Sequence, residues 1–197
     1  MIRLSKNHIK SAGILLGRAL FDDPVSIHVI PDSNERRIKL NHVFQMTACL
    51  GVFYGEAYAT SENLEGIAVW IPFNNFKEKK LRMLRCAIKA KLNKLGREAG
   101  KRFKPVEVIN KKMHIKFAPY EHWYLQSLGV DPELQGRGYG SSLLISKLEK
   151  IDEQGLPVYL ETSTEKNVRF YKKFGFEVVE ELIIPGTQVP ECFMLRE

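Results

Sequence analysis

The stretch Leu128–Leu144 reads LGVDPELQGRGYGSSLL and places Gly136, Gly138 and Gly140 at every second position between two apolar runs. Residues of this kind at this spacing suit a phosphate. Amides in the first turn of a helix point outward unpaired and carry partial positive charge, so an anion can settle against backbone that only glycine leaves uncovered. Arg137 adds a formal charge beside them. Two other phosphate turns do not fit: a P-loop needs GxxxxGK[ST], and the Rossmann fingerprint needs GxGxxG, whereas here the third glycine comes one residue early. A plain glycine-rich strand-to-helix turn is the alternative reading of the stretch taken alone.

The elements that must hold this turn follow from hydrophobic period and breakers. Ile9–Phe21 reads as a helix halted by Asp22-Asp23-Pro24, and a short apolar piece, Val25–Ile30, runs to Pro31. Asn34–Leu50 reads as a second helix, followed by strands at Gly51–Tyr58 and Gly66–Ile71 joined through the polar turn Thr60–Asn63. Phe76–Gly100 carries Leu81, Leu84, Ile88, Leu92 and Leu95 at steps of three and four among lysines and arginines, a basic amphipathic helix with a weaker companion at Lys101–Lys116. Strands at His122–Val130 and Pro157–Thr162 alternate with helices at Gly138–Glu153 and Asn167–Phe174, and strands at Val178–Ile184 and Glu191–Leu195 close the chain. The expected class is α/β (α+β), a mixed sheet flanked by helices, in one domain over residues 1–197 with a basic helical insertion at about 76–116.

Composition narrows the classes further. Hydrophobic residues at 44% and charged residues at 27% fit a soluble globular chain rather than a disordered or membrane-spanning one. The N-terminus MIRLSKNHIK lacks the apolar run of a secretion signal, so a cytoplasmic protein is expected. The net charge is +7, yet residues 77–116 alone carry +12 and the rest sums to −5, so the basic character is local. Cys49, Cys86 and Cys192 are widely spaced, with no CxxC pair and no histidine cluster, and read as separate buried thiols with no metal site.

Gln135, Gly138 and Gly140 resemble the Q/R-x-x-G-x-G/A element of the GNAT acetyltransferases, and Asn167, Tyr171 and Gly175-Phe176 resemble that family's second signature. The longer runs HWYLQSLGVDPELQGRGYGSSLL and LPVYLETSTEKNVRFYKKFGFEVVEE, with a Cys-Phe-Met strand near the end, look like the puromycin N-acetyltransferase branch. This likeness covers roughly the C-terminal 80 residues; before Glu121 it is limited to the Asp-Pro after the first helix and the Ala68–Trp70 strand.

The resemblance implies a GNAT fold and acetyl-CoA as the acetyl donor, with no metal. It implies that Gln135, Gly136, Arg137, Gly138, Tyr139, Gly140 and Ser141 hold the pyrophosphate. Pantetheine would lie like a substitute strand between two splayed parallel strands, Tyr124–Val130 and Pro157–Thr162, against backbone groups of Leu128, Gly129 and Val130. An amide near Leu128 or Gly129 would polarise the acetyl carbonyl. Asn167 would bind pantetheine, with an N-cap of its helix as the other reading of that residue. Tyr171 would be the proton donor to the departing thiolate, because a phenol with a reference pKa of about 10 is protonated at neutral pH. For the base, strand alternation puts Glu161 on one face with Tyr159, and Glu121 and His122 are rivals at the start of the preceding strand. Transfer is expected to be direct, without an acetyl-carrying Cys192.

The acceptor implied is a primary amine of a small molecule, with a protein or peptide amine as an alternative. The basic segment supports a second class of function, binding to nucleic acid or an acidic surface, although the chain carries no nucleic-acid motif beside it, and neither nucleic acid nor membrane insertion is expected. A homodimer stays open.

Overall fold

The computed structural model describes residues 1–73 and 79–197. In chain order the elements are β1 (Ile2–Arg3), α1 (Ile9–Ala19), α2 (Pro24–Val29), α3 (Ser33–Tyr54), β2 (Glu56–Ala59), β3 (Gly66–Pro72), α4 (Lys79–Lys89), α5 (Arg97–Phe117), β4 (Trp123–Val130), α6 (Tyr139–Asp152), β5 (Val158–Thr162), α7 (Glu165–Lys172), β6 (Glu177–Ile183) and β7 (Pro190–Arg196). The strands form one mixed sheet in the order β1-β2-β3-β4-β5-β7-β6.

Strand alternation divides the core into two layers. Ile67 and Val69 of β3 meet Ala12, Leu15 and Leu16 of α1 and Ala48 of α3 on one face. Farther along that face α5 covers Tyr159 and Phe193 with Met113. Ala68, Trp70, Leu160 and Met194 turn to the other face, against Leu143, Leu144 and Ile151 of α6 and Val168 and Tyr171 of α7. Among the described residues the one parallel pair, β4 with β5, stands at the middle of the sheet.

Several elements differ from the sequence reading. Gly51–Tyr54 continues α3 instead of opening a strand: Gly51 is buried where the helix meets the sheet, and a Cβ there would lie 2.6 Å from Val69 Cγ1. Tertiary contact thus overrides the β-preferring Val52-Phe53-Tyr54. The single helix expected over Phe76–Gly100 is broken. Residues 76–78 lie outside the described residues, α4 ends at Lys89, and Lys91 takes a left-handed backbone at φ 53°. The companion helix is longer than expected, running from Arg97 to Phe117 through Pro105. The Val25–Ile30 piece is mostly helical, because Asp23 caps α2 by accepting from the Val25 amide and Pro24 occupies the first turn. Cys49 and Cys86 are not separate thiols: they form a disulfide joining α3 to α4. Cys192 is buried and free, and burial pushes its thiol pKa up.

One buried charge ties α6 to β2 on the face they share. Lys147 of α6 is 2% exposed, and its ammonium donates to Glu56 at 2.7 Å while lying 3.6 Å from the Trp123 ring centroid. Burial depresses the Lys147 pKa against the opposing pull of Glu56. Removing one member of such a pair strands the other, at a cost of about 3–5 kcal/mol for deep burial. Glu56 is partly exposed, so the low end applies. Lys147→Met should lose about 3 kcal/mol in urea unfolding, and adding Glu56→Gln should restore part of it. A Lys147→Met loss below about 1 kcal/mol would show that water already shares the charge.

Candidate active site

Pairing of β4 with β5 is confined to Trp123↔Val158 and Tyr124↔Tyr159. Beyond that point β4 runs on to Val130 and β5 to Thr162 with no further register between them. Two adjacent parallel strands therefore part, and backbone along their facing edges is left without strand partners. A bulge on β4 accompanies the parting. Val69 pairs with Ser127 but Trp70 pairs with Leu125, so Gln126 is the extra residue. Its side-chain oxygen and the hydroxyl of Ser127 are buried without a hydrogen-bond partner. The bulge also shifts the phase of β4, so that Ser127 and Gly129 share the α1 face while Leu128 and Val130 face α6.

Past the end of β4, Asp131 accepts from the Glu133 amide and opens a short 3₁₀ turn through Pro132 to Leu134. Gln135 donates to the Val130 carbonyl at 3.3 Å and folds the loop back on the strand end. Gly136 and Gly138 have φ of 79° and 85°, the left-handed region that only glycine adopts without strain, and a Cβ at either would meet nothing within 4 Å. The loop is thus open on the side its glycines leave bare. Tyr139, Gly140 and Ser141 form the first turn of α6. Gly129 has a different reason to be glycine, since a Cβ there would lie 2.8 Å from Leu16 Cδ2 and 2.9 Å from Ala19 Cβ. Its small size serves packing on α1.

Carboxylates gather on the α5 face of the parting. Glu161 of β5 accepts from the Tyr124 hydroxyl at 2.6 Å. Burial holds the proton firmly on Tyr124, and the Glu161 charge adds to that effect. The fully buried Tyr159 phenol is likewise raised by burial and then by Glu161; its hydroxyl lies near that carboxylate but outside hydrogen-bond geometry. Glu191 of β7 is 3% exposed and accepts from the Ser163 hydroxyl at 2.8 Å. Burial pushes its carboxyl up to about 8 against the Ser163 hydrogen bond, and the charges of Glu161 and Asp23 push the same way. Asp23, at the head of α2, is raised by its own desolvation against the backbone bonds of Val25 and Ser26.

From the opposite face, Tyr171 of α7 is 8% exposed and packs with Phe170 and Phe176. Burial raises its phenol pKa, and Asp23 raises it further, so the two faces sense each other's charge. Asn167 lies one helical turn before Tyr171. It is not the cap of α7: Thr164 is, accepting from the Asn167 amide.

The rivals for the base have other settings. Glu121 is exposed. His122 is 1% exposed rather than solvated, and burial lowers its pKa. Its Nδ1 sits 2.7 Å from the Tyr120 carbonyl, which can only accept, so Nδ1 carries the hydrogen. Its Nε2 therefore accepts from Nε2 of His114, 2.6 Å away. His114, on α5, stacks on Tyr159 with centroids 4.4 Å apart. Sequence reasoning passed over His114, Glu191 and the site role of Asp23.

Residues 106–178 match the acetyltransferase (GNAT) domain family. An uncharacterised N-acetyltransferase of Schizosaccharomyces pombe is 29% identical across 99% of this chain and 82% of its own length. Among solved structures, a histone acetyltransferase HPA2 and related acetyltransferase from Corynebacterium glutamicum superposes with a TM-score of 0.64 at 19% identity, over 99% of this chain and 93% of its own. A polyamine N-acetyltransferase of Drosophila melanogaster, which forms N-acetylagmatine, superposes with a TM-score of 0.61 at 14% identity, over 98% of this chain and 96% of its own.

Proposed function

We propose that the chain, whose residues 106–178 match the acetyltransferase (GNAT) domain family, is an N-acetyltransferase that transfers the acetyl group of acetyl-CoA directly to a primary amine of a small, positively charged molecule, with all 197 residues forming one transferase domain. The observation that carries this reading is the parting of β4 and β5, with a phenol on one side of the sheet and carboxylates on the other. When bound, acetyl-CoA supplies an activated acyl thioester. The residues present fit it: an open glycine loop at the head of α6, unpaired strand edges, and buried polar atoms of Gln126 and Ser127 lacking partners.

In this reading the backbone of Gln135 through Ser141 holds the pyrophosphate, with Arg137 beside it, and edge groups of Leu128, Gly129 and Val130 with Asn167 hold pantetheine. Tyr171 keeps its proton at neutral pH and gives it to the departing sulfur. An arriving ammonium meets Glu161, Glu191 and Asp23, whose mutual repulsion it relieves. The Glu161–Glu191 pair then accepts a proton so that the nitrogen can attack, the Glu161 charge adding to the burial that already favours a proton on Glu191. The Drosophila fold neighbour, an enzyme that forms N-acetylagmatine, supports a cationic acceptor.

The test is release of coenzyme A thiol across a panel of diamines, guanidino-amines, neutral amines and amino acids. Release favouring the cationic amines is expected; equal use of amino acids would refute the acidic acceptor site. Gly138→Glu should weaken acetyl-CoA binding tenfold or more, about 1.4 kcal/mol, by filling open space with a like charge and forcing a non-glycine residue to φ 85°. Unchanged affinity in calorimetry would mean the loop is not the phosphate cradle.

A further inference from the structure

The apolar stripe of the basic helix does not face the core. Leu81, Leu84 and Ile88 of α4 are 68%, 57% and 67% exposed, at i, i+3 and i+7 on one face. Lys80 and Arg85 are exposed among them, while Lys89, also exposed, lies over the Phe53 ring of α3 at 5.4 Å. The inward side is anchored: Cys86 is bonded to Cys49, Arg82 lies over the Tyr54 ring at 4.9 Å, and Ala90 just beyond the helix is buried with its carbonyl on His42. Arg82 and Arg3 also line a cavity of about 300 Å³ beside the helix. Aliphatic and cationic side chains thus share one outward surface, in the segment that carries net +12.

We propose that α4 seats the protein on an anionic membrane surface, with Leu81, Leu84 and Ile88 entering the headgroup boundary and Lys80 and Arg85 meeting lipid phosphates. Short amphipathic helices bind in this way when apolar burial and charge act together. Nucleic acid would satisfy the cations and leave three aliphatic side chains in water. A second copy would cover the aliphatics and set a strongly positive segment against itself. An anionic bilayer accepts both, and the arginine and lysine stems can lie along the apolar layer while their heads stay in the phosphate plane. This surface is separate from the acetyl-transfer reading and stands or falls without it.

The experiment is co-sedimentation of the full chain with phosphatidylcholine vesicles, with and without phosphatidylglycerol. Binding only to the phosphatidylglycerol vesicles, falling as salt rises, is expected. The triple variant Leu81→Gln, Leu84→Gln, Ile88→Gln and the double variant Lys80→Glu, Arg85→Glu should each bind at least about tenfold more weakly, with acetyl-CoA affinity unchanged. Should the triple variant fail to fold, Leu84→Trp gives the same answer, since its emission should shift blue on the vesicles and be quenched by brominated lipid. No sedimentation, binding that survives loss of the three aliphatic side chains, or self-association of the wild type that those changes abolish would each overturn the proposal.

Discussion

With Tyr171 as the proposed proton donor, Tyr171→Phe should lower kcat by about 10²–10⁴-fold, the contribution of a positioned acid, and leave acetyl-CoA affinity within about twofold. The substitution is a clean one. The ring sits among Phe170, Phe176 and Val168, and phenylalanine keeps every ring contact while removing one hydroxyl. Burial, aided by Asp23, holds the proton on this phenol far above assay pH, so Tyr171 does not titrate between pH 6 and about 10. The variant's rate–pH curve should therefore keep the wild-type shape and lie lower throughout. A loss of threefold or less in kcat would make Tyr171 a packing residue; a changed curve shape would move the effect to another group.

The second large effect belongs to the acid pair. With its carboxyl near 8, Glu191 holds its proton in most molecules at pH 7, and a base must first lose it. The rate should rise with pH through that value. Glu191→Gln should remove the rise and lower kcat/KM by about 10²-fold or more, and Glu161→Gln should act in the same direction. Stability carries the opposite sign. The folded state binds this proton more tightly than the unfolded chain does, so stability falls as pH climbs from about 4.5 to about 8, by up to about 1.4 kcal/mol per pH unit. Urea titrations of Glu191→Gln should lack that slope and give a protein more stable than the wild type at pH 8. If the slope is the same in both proteins, burial does not govern this carboxyl.

The parts of this site that are continuous in the chain were readable from it. The glycine loop, α6 and the Asn167–Tyr171 face of α7 lie within one stretch, where local spacing is the geometry. Glu161 also stood where alternation placed it, with Tyr159. Asp23 and Glu191 were hidden because each has a sufficient local role, one as a helix cap before Pro24 and one as a residue of β7. Glu191 did leave a trace: alternation in Glu191-Cys-Phe-Met-Leu195 puts a carboxylate on the same face as Phe193, a core position. The Gln126 bulge depends on how β3 registers with β4, which neither strand encodes alone. The helical period over Leu81–Leu95 reported amphipathicity correctly but could not say which way the stripe faces, and the break at Lys91 uses a left-handed residue that is not glycine.

The Cys49–Cys86 bond spans 37 positions and encloses the β2–β3 hairpin, yet it fastens only one peripheral helix to the fold. It behaves as a latch on a local unfolding unit. Besides the latch, the contacts of α4 among the described residues include cation–ring contacts of Arg82 and Lys89 and the His42 bond to Ala90 just beyond the helix. In a reducing compartment the latch opens, and amides of α4 should exchange with solvent long before those of β3 and β4. In an oxidising one the helix is clamped and exchanges with its neighbours. The redox state of the surroundings thus sets how firmly the basic face is presented, while the sheet that holds the glycine loop and Tyr171 keeps its own, separate cooperativity.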